Sequence, residues 1–256
     1  MTFEIMTLFP DLVRTVLDTS IIGRAQKAGY IDINTYQIRD FSTDKHHNTD
    51  DTPYGGGFGL LMTCQPIFDC YAAIREKIPE NDRTRVIYLS PKGRLFTHEV
   101  AKEFASLDHL ILLCGHYEGV DQRVIDGIVD EEISIGDFVL TGGEIPACIV
   151  VDGVARLLDG VLAAPECYEE ESVASGLLEY PQYTKPAVFR GMEVPEVLRS
   201  GDHGKIARWR LEQSVAVTRE RRPDLLEKHP EFPEILHPEE KAKKRKNKKP
   251  NTADPG

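Results

Sequence analysis

Two short runs, Arg85-Val86-Ile87-Tyr88-Leu89 and His109-Leu110-Ile111-Leu112-Leu113-Cys114, are apolar almost without interruption. A strand with one wet face would alternate; runs this short and continuous suit strands buried on both faces, as in a parallel sheet covered by helices. The flanking segments supply both kinds of element. Phe3, Ile5 and Leu8-Phe9 suggest an opening strand halted by Pro10, with Asp11 placed to cap a helix through Leu12, Val13 and Val16. Ile31 to Tyr36 alternates with period two and reads as a strand. Thr63 precedes a helical stretch around Ile67, Tyr71 and Ile74, and Thr97 to Ala105 has helical composition. Ile128 to Ile133 reads as a fifth strand despite its acidic run, and Glu144 to Leu158 as a long apolar helix. Strand–helix alternation of this kind predicts an α/β fold with a parallel sheet over residues 1–162.

After Gly160 the character changes. Ala163 to Ser175 is short-side-chained and acidic without apolar period, a linker over 163–175. From Gly176 the chain turns to Pro, Tyr and Arg and then to helix, a smaller helical domain over 176–236. There Ile206, Trp209, Ala216 and Val217 make one apolar face, Arg208, Arg210, Arg219, Arg221 and Arg222 supply cations, and Pro223 ends or kinks the helix. The charged, Pro-flanked tail over 237–256 reads as disordered.

The formal net charge is −11, and seven of the 31 Lys and Arg residues sit in Lys241–Lys249 (KAKKRKNKK), so the rest of the chain is more acidic still. Such a body can hold a polyanion only through a local basic patch. With 41% hydrophobic and 29% charged residues a sizeable core is available. No stretch approaches the roughly 18 uninterrupted apolar residues of a membrane helix, and Met1-Thr2-Phe3-Glu4-Ile5 lacks the basic lead and apolar block of a secretory signal. The five cysteines, Cys64, Cys70, Cys114, Cys148 and Cys167, are odd in number and form no zinc-type pair. They read as thiols of a reducing, cytoplasmic compartment, mostly core filler.

Three Gly-rich loops stand out: Tyr54-Gly55-Gly56-Gly57-Phe58-Gly59; Gly115-His116-Tyr117-Glu118-Gly119, directly after the strand ending at Cys114; and Ile135 to Gly143, directly before a helix. Glycine at a strand's carboxyl end lets a flat ligand approach backbone N–H and C=O closely, where α/β sheets bind ligands. None carries the Gly-Lys-[Ser/Thr] ending of a phosphate-gripping loop and none is a G-x-G-x-x-G, which disfavours a nucleoside triphosphate and a dinucleotide. Any one alone is as readily a tight turn; two flanking strands of one sheet point to a shared pocket. Glu169-Glu170-Glu171 reads first as a solvated linker and, alternatively, as a general base, since neighbouring carboxylates raise one another's pKa. Arg156, late in an apolar helix, is paired with Asp152 four residues back, or a snorkelling surface arginine, or alternatively a cation aimed at an oxyanion. The histidines, His46-His47 and His116 among them, show no metal-binding spacing and read as structural or RNA-facing.

These loops, in this order, resemble the bacterial tRNA (guanine-N1)-methyltransferases, the TrmD family of the SPOUT superfamily. The matching stretches are MTLFP, DDTPYGGGFGLLM, IYLSPKG, LLCGHYEGVDQRV, ISIGDFVLTGGE, DGVARLLDGV, SGLLEYPQYTKP and VPEVLRSGDHGKIARWR, running from Met6 to about Pro223. The resemblance implies a SPOUT-type sheet whose chain is tied in a C-terminal trefoil knot, a rare exception to unknotted topology. It implies that S-adenosylmethionine binds at Tyr88, Leu89, Ser90 and Pro91, at Gly115, Tyr117, Glu118 and Gly119, at Ser134, Ile135, Gly136, Asp137, Phe138, Val139 and Leu140, and at Gly142, Gly143 and Pro146. The family works as a homodimer with active sites at the interface. Its helical domain grips the tRNA anticodon stem-loop, contacts here falling on Asp50, Tyr54, Gly55, Gly59, Ser172, Arg208, Arg210 and Arg219.

The implied reaction methylates N1 of the guanine just 3′ of the anticodon, position 37, which supports reading-frame maintenance. The family's catalytic arginine falls on Arg156 and its catalytic aspartate on Glu171, one methylene longer than the family's residue. His47-Asn48 stands where a more basic sequence is expected. No metal ligand is assigned, and a need for Mg2+ is not encoded in any motif. The rival readings are a non-catalytic RNA-binding module, which could dispense with the cofactor loops and the linker carboxylate, and a nucleotide-dependent oxidoreductase, whose fingerprint glycines are missing.

Overall fold

The structure is a computed structural model that describes residues 1–162, 172–229 and 232. The chain divides into two compact units, Met1–Pro165 and Glu166–Gly256. The first unit runs β1 (Thr2–Thr7), α1 (Pro10–Leu17), α2 (Ser20–Lys27), β2 (Asp32–Gln37), β3 (Asp50–Asp51), β4 (Leu61–Met62), α3 (Cys64–Arg75), β5 (Thr84–Leu95), α4 (His98–Ala105), β6 (His109–Leu113), α5 (Gln122–Ile128), β7 (Glu131–Ser134) and α6 (Glu144–Ala155). Five strands form one sheet in the order β2-β1-β6-β5-β7, each neighbouring pair parallel. The short β3 and β4 pair antiparallel on their own, Asp50 opposite Met62.

The pleat explains the continuous apolar runs. Leu110 and Leu112 join a buried layer with Phe3, Ile5, Val13, Val100 and Val150, while Ile111 and Leu113 join a second layer with Met6, Ile67, Ile74 and Val124. Successive residues of β6 therefore point into different cores, and neither face is left for water.

Several elements differ from the sequence-based expectation. α1 starts at Pro10, not after Asp11: Phe9 is the capping residue without a side-chain cap bond, and proline's fixed φ and missing N–H suit the first helical position. Asp11 lies in the first turn instead, where its charge meets the helix dipole. The stretch expected to begin a strand at Ile128 is first a helix. Asp121 Oδ1 accepts the Arg123 N–H at 2.9 Å and starts α5, and β7 begins only at Glu131. The acidic run is tolerated because its first two acids have partners: Asp130 Oδ2 accepts the Val86 N–H at 2.8 Å, and Glu131 pairs with Arg94 at 2.6 Å.

β5 also continues past Leu89. Leu89 and Arg94 both lie in register with Ile133, so Ser90-Pro91-Lys92-Gly93 is an excursion from one strand rather than its end. α6 stops at Ala155, with Arg156 as its C-cap, short of the expected Leu158.

The described part of the second unit holds a hairpin of β8 (Val188–Phe189) and β9 (Met192–Glu193) and the helices α7 (Glu196–Arg199), α8 (His203–Arg221) and α9 (Pro223–Lys228). The buried face of α8 is not the expected one. Ser214, Val215 and Thr218 are buried, Ala216 is exposed, and Ile206, Trp209 and Val217 are only half-buried. The Thr218 hydroxyl donates to the Ser214 carbonyl at 2.6 Å and accepts the Leu178 N–H at 2.8 Å, so hydrogen bonding allows a polar residue inside where an apolar count places the face elsewhere. Pro223 begins α9, ending α8 as expected. The expected linker residues 163–171 and the expected disordered tail over 237–256 lie outside the described residues.

Candidate active site

The excursion within β5 and the loops after β6 and β7 enclose a cleft of about 400 Å3. Glycines set its shape. A Cβ on Gly115 would stand 2.8 Å from the Tyr88 ring, and one on Gly143 would stand 2.7 Å from the Cys114 Cα. A Cβ on Gly142 would meet both the Glu144 carboxylate at 2.5 Å and His116 Nδ1 at 2.9 Å. The Gly143 N–H donates to the Gly115 carbonyl at 2.8 Å, and His116 bridges Gly142, so two of the loops are stitched together by backbone. Gly119 and Gly136 take φ of 133° and 146°, which side chains rarely adopt, and Tyr117 is left-handed at 59°.

The first Gly-rich loop is tied to the same wall. The Glu118 N–H donates to the Leu60 carbonyl at 3.0 Å and the Met62 N–H to the Gly119 carbonyl at 2.9 Å. A Cβ on Gly59 would overlap the Glu118 side chain at 2.3 Å. The loop's tip is open: Tyr54 and Phe58 are fully exposed.

Beneath the cleft lies buried Glu144, whose Oε1 accepts the Thr7 hydroxyl at 2.8 Å. Burial pushes the Cys114 thiol well up and Cys148 to about 11, the Glu144 charge adding to both, so neither is a thiolate near neutral pH. Burial likewise raises Tyr88, with Glu132 adding, which keeps its phenol neutral. His116 lies between Phe9, tilted against it at 5.1 Å between ring centroids, and Tyr117, edge-on at 5.0 Å. Its buried Nδ1 has no hydrogen-bond partner among the described residues.

The cleft lining takes in Tyr88, Leu89, Ser90 and Pro91 from the β5 excursion, and Gly115, Tyr117, Glu118 and Gly119 from the loop after β6. From the loop after β7 and the start of α6 come Ser134, Ile135, Gly136, Phe138, Val139, Leu140, Gly142, Gly143 and Pro146. Asp137 is the exception. The Phe138 N–H donates to the Gly136 carbonyl at 2.9 Å, closing a three-residue turn with Asp137 exposed at its apex, outside the lining. Lys92, His116, Gln122, Ile125, Glu132 and Thr141 line the cleft without having been singled out as ligand residues. Lys92 and His116 belong to the quoted motifs SPKG and CGHYEG, and that signal could have found them.

The remaining site candidates are dispersed. Asp50 lines a separate polar cleft with Ser42, Asp44, Asn48, Asp51 and Thr63. Tyr54 and Gly55 lie on the open loop, whereas Gly59 abuts Glu118. Arg156 is half-buried at the end of α6, its N–H donating to the Asp152 carbonyl at 3.2 Å. Ser172 Oγ accepts the Glu179 N–H at 2.9 Å; Arg208 pairs with Glu212 at 2.9 Å; Arg210 lies 4.9 Å over the Tyr180 ring; Arg219 is exposed. Glu171, with Glu169 and Glu170, lies outside the described residues. Among the described residues no three His, Cys, Asp or Glu side chains are placed to hold a metal ion, and no helix is long and apolar enough to cross a membrane.

A helix-covered parallel sheet carrying a glycine-walled cleft beside the carboxyl ends of its strands defines an α/β protein with its cleft where such sheets bind ligands. Residues 1–228 match the model of the family described as tRNA (Guanine-1)-methyltransferase TrmD, and the chain belongs to that family. A tRNA (guanine-N(1)-)-methyltransferase of Ruminiclostridium cellulolyticum is 54% identical over 230 residues, covering 90% of this chain and 98% of the relative. The protein of that name from Clostridioides difficile is 53% identical, covering 89% and 98%, and the one from Moorella thermoacetica 51%, covering 88% and 90%.

Proposed function

We propose that this protein transfers a methyl group from S-adenosylmethionine to N1 of guanine 37 of tRNA, acting in the cytoplasm as a homodimer with active sites at the interface. The observation that carries the reading is the convergence of the family's cofactor motifs, from three separate loops, on one glycine-walled cleft. The residues fit the donor chemically. Its adenosine needs close backbone and no phosphate grip, and Gly115, Gly142 and Gly143 let the loops of the cleft close on one another where a Cβ would collide with Tyr88, with Glu144 and His116, or with the Cys114 backbone. Bound there, the donor supplies an electrophilic methyl on sulfur.

The chain's own residues supply the rest. Tyr88, the Ser134–Leu140 loop and Gly142-Gly143 hold and orient the ligand. N1 of guanine carries a proton and is a poor nucleophile until that proton leaves, so a base must take it as charge accumulates on O6. The linker carboxylate Glu171 is assigned to that proton and the Arg156 guanidinium to O6. Arg208, Arg210 and Arg219 serve the RNA backbone, and Asp50, Tyr54, Gly55, Gly59 and Ser172 the anticodon loop. The loops of the cleft are taken to be threaded as a trefoil knot. The close backbone approaches of Gly93 to Glu132, a Cβ coming within 2.3 Å, and of Gly143 to Cys114 support loops packed that tightly. The dimer is supported by an apolar face that the described residues leave open: Phe9 before α1, Leu12 and Val16 on it, and Ile145 and Ile149 on α6, a helix packed against it.

The test uses methyl-labelled donor and two anticodon stem-loop transcripts, one with guanine at position 37 and one with adenine. Only the guanine transcript should become labelled, and Glu171→Gln should abolish labelling while the protein still binds donor and RNA. Equal labelling of both transcripts, or none with either, would defeat the reading.

A further inference from the structure

The donor is a zwitterion beyond its sulfonium: the amino-acid end carries an ammonium and a carboxylate. Two carboxylates, Glu118 and Glu132, line the cleft and suit the cationic groups, but they repel a ligand carboxylate. Among the described residues Lys92 is the one Lys or Arg in the lining. It has no carboxylate within 4.0 Å among the described residues, unlike Arg83, Arg85, Arg94 and Arg123 nearby in sequence or fold.

Its backbone is held firmly. β5 lies between β6 and β7, so the Ser90–Gly93 excursion rises between the other two ligand loops. The Lys92 N–H donates to buried Ser90 Oγ at 3.2 Å, and Pro91 restricts the turn. On its far side Gly93 lies so close to the Glu132 backbone that a Cβ would come within 2.3 Å. Arg85 before the excursion and Arg94 after it both reach Glu103 and Glu131, clasping its two ends. A firmly held turn thus places a lysine, without a carboxylate partner among the described residues, in the lining of a cleft that also holds Glu118 and Glu132.

Resting on the assignment of the cleft to S-adenosylmethionine, we propose that Lys92 is the counter-charge for the carboxylate of the donor's amino-acid end, and so a specificity residue for the intact donor over its decarboxylated form. Because Lys92 is exposed, its contribution is that of a partly screened ion pair, about five- to tenfold in affinity. Titration calorimetry of the full chain with two probes decides it: S-adenosylhomocysteine, and S-adenosyl-3-thiopropylamine, which keeps adenosine, thioether and ammonium but lacks the carboxylate. Lys92→Met should weaken S-adenosylhomocysteine by about five- to tenfold, leave the decarboxylated probe within about twofold, and raise the KM for donor without changing kcat; Lys92→Arg should restore binding. Loss of affinity for both probes alike would make Lys92 part of the loop's scaffolding, and no loss for either would remove it from the site; each outcome overturns the inference. If the unaltered protein binds neither probe, the donor assignment itself falls.

Discussion

At the scale of single residues the cleft is a set of places where a side chain cannot stand. Gly143 is the severest. Its missing Cβ would meet the Cys114 Cα at 2.7 Å and the Gly115 nitrogen at 2.9 Å, both backbone atoms of the central strand's exit, with no flexible side chain to yield. Gly29 offers the contrast, left-handed at φ 77° but with nothing within 4 Å. Gly143→Ala should therefore lower stability by about 1–3 kcal/mol through overpacking and also abolish S-adenosylhomocysteine binding. Gly29→Ala should cost about 1 kcal/mol of backbone strain and leave binding intact. Urea unfolding and calorimetry on the two variants check both halves, and intact binding in Gly143→Ala would show that the cleft tolerates a shift of its floor. The need for glycine at this position was legible in the motif TGGE, but its physical cause was not. Which atoms lie opposite a Cα depends on partners 28 and 29 residues earlier in the chain.

At the scale of elements, the strands with the simplest patterns were the most legible. β6 matches its apolar run because both faces are buried, and β2 nearly matches its alternation. The tail of β5 was hidden because Ser-Pro-Lys-Gly has the composition of a turn, which it is; the strand resumes only because Ile133 provides register for both Leu89 and Arg94. α2 is amphipathic, burying Ile22, Gly23 and Ala25, but with Gly and Ala among its buried residues and only eight residues of length it was not read at all. The entry to β5 and β6 carries a pH signature of its own. Arg83 meets Asp108 with two side-chain nitrogens at 3.0 Å and its own N–H at 2.9 Å, fastening the starts of the two strands. These contacts hold the Asp108 carboxyl at about 2, below its ordinary 3.8. The folded state thus favours the carboxylate, and the fastening stabilises fully above the ordinary value and is lost as pH falls through about 2. Asp108→Asn should be less stable than the unaltered protein at pH 6, and the gap in urea midpoint should close between about pH 4 and pH 2. A gap that persisted unchanged at pH 2 would assign the effect to the amide's geometry rather than to charge.

At the scale of the whole molecule, the α/β class and the loops that converge on the cleft were legible because loop spacing and strand pattern are local properties. The buried face of α8 was not, because Ser214 and Thr218 enter it on the strength of hydrogen bonds that a count of apolar residues ignores. The open face of the first unit was also overlooked: Leu12 and Val16 on α1, and Ile145 and Ile149 on α6, belong to amphipathic patterns that look like core until the neighbouring elements are counted. Single exposed apolar residues are ordinary, but two adjoining helices each presenting a pair at spacing four are what a second copy of the chain would cover. Donor binding is assigned to a cleft whose described lining lies in the first unit, whereas the proposed reaction needs active sites at a dimer interface, so the two functions should separate when the face is charged. Val16→Glu combined with Ile149→Glu should sediment as a monomer, keep S-adenosylhomocysteine affinity within about threefold, and lose methyl transfer to the guanine transcript by about a hundredfold or more, the scale expected when catalytic groups are misplaced. A monomer that retained transfer would place every catalytic group in a single chain, and a dimer that survived both charges would put the interface elsewhere on the surface.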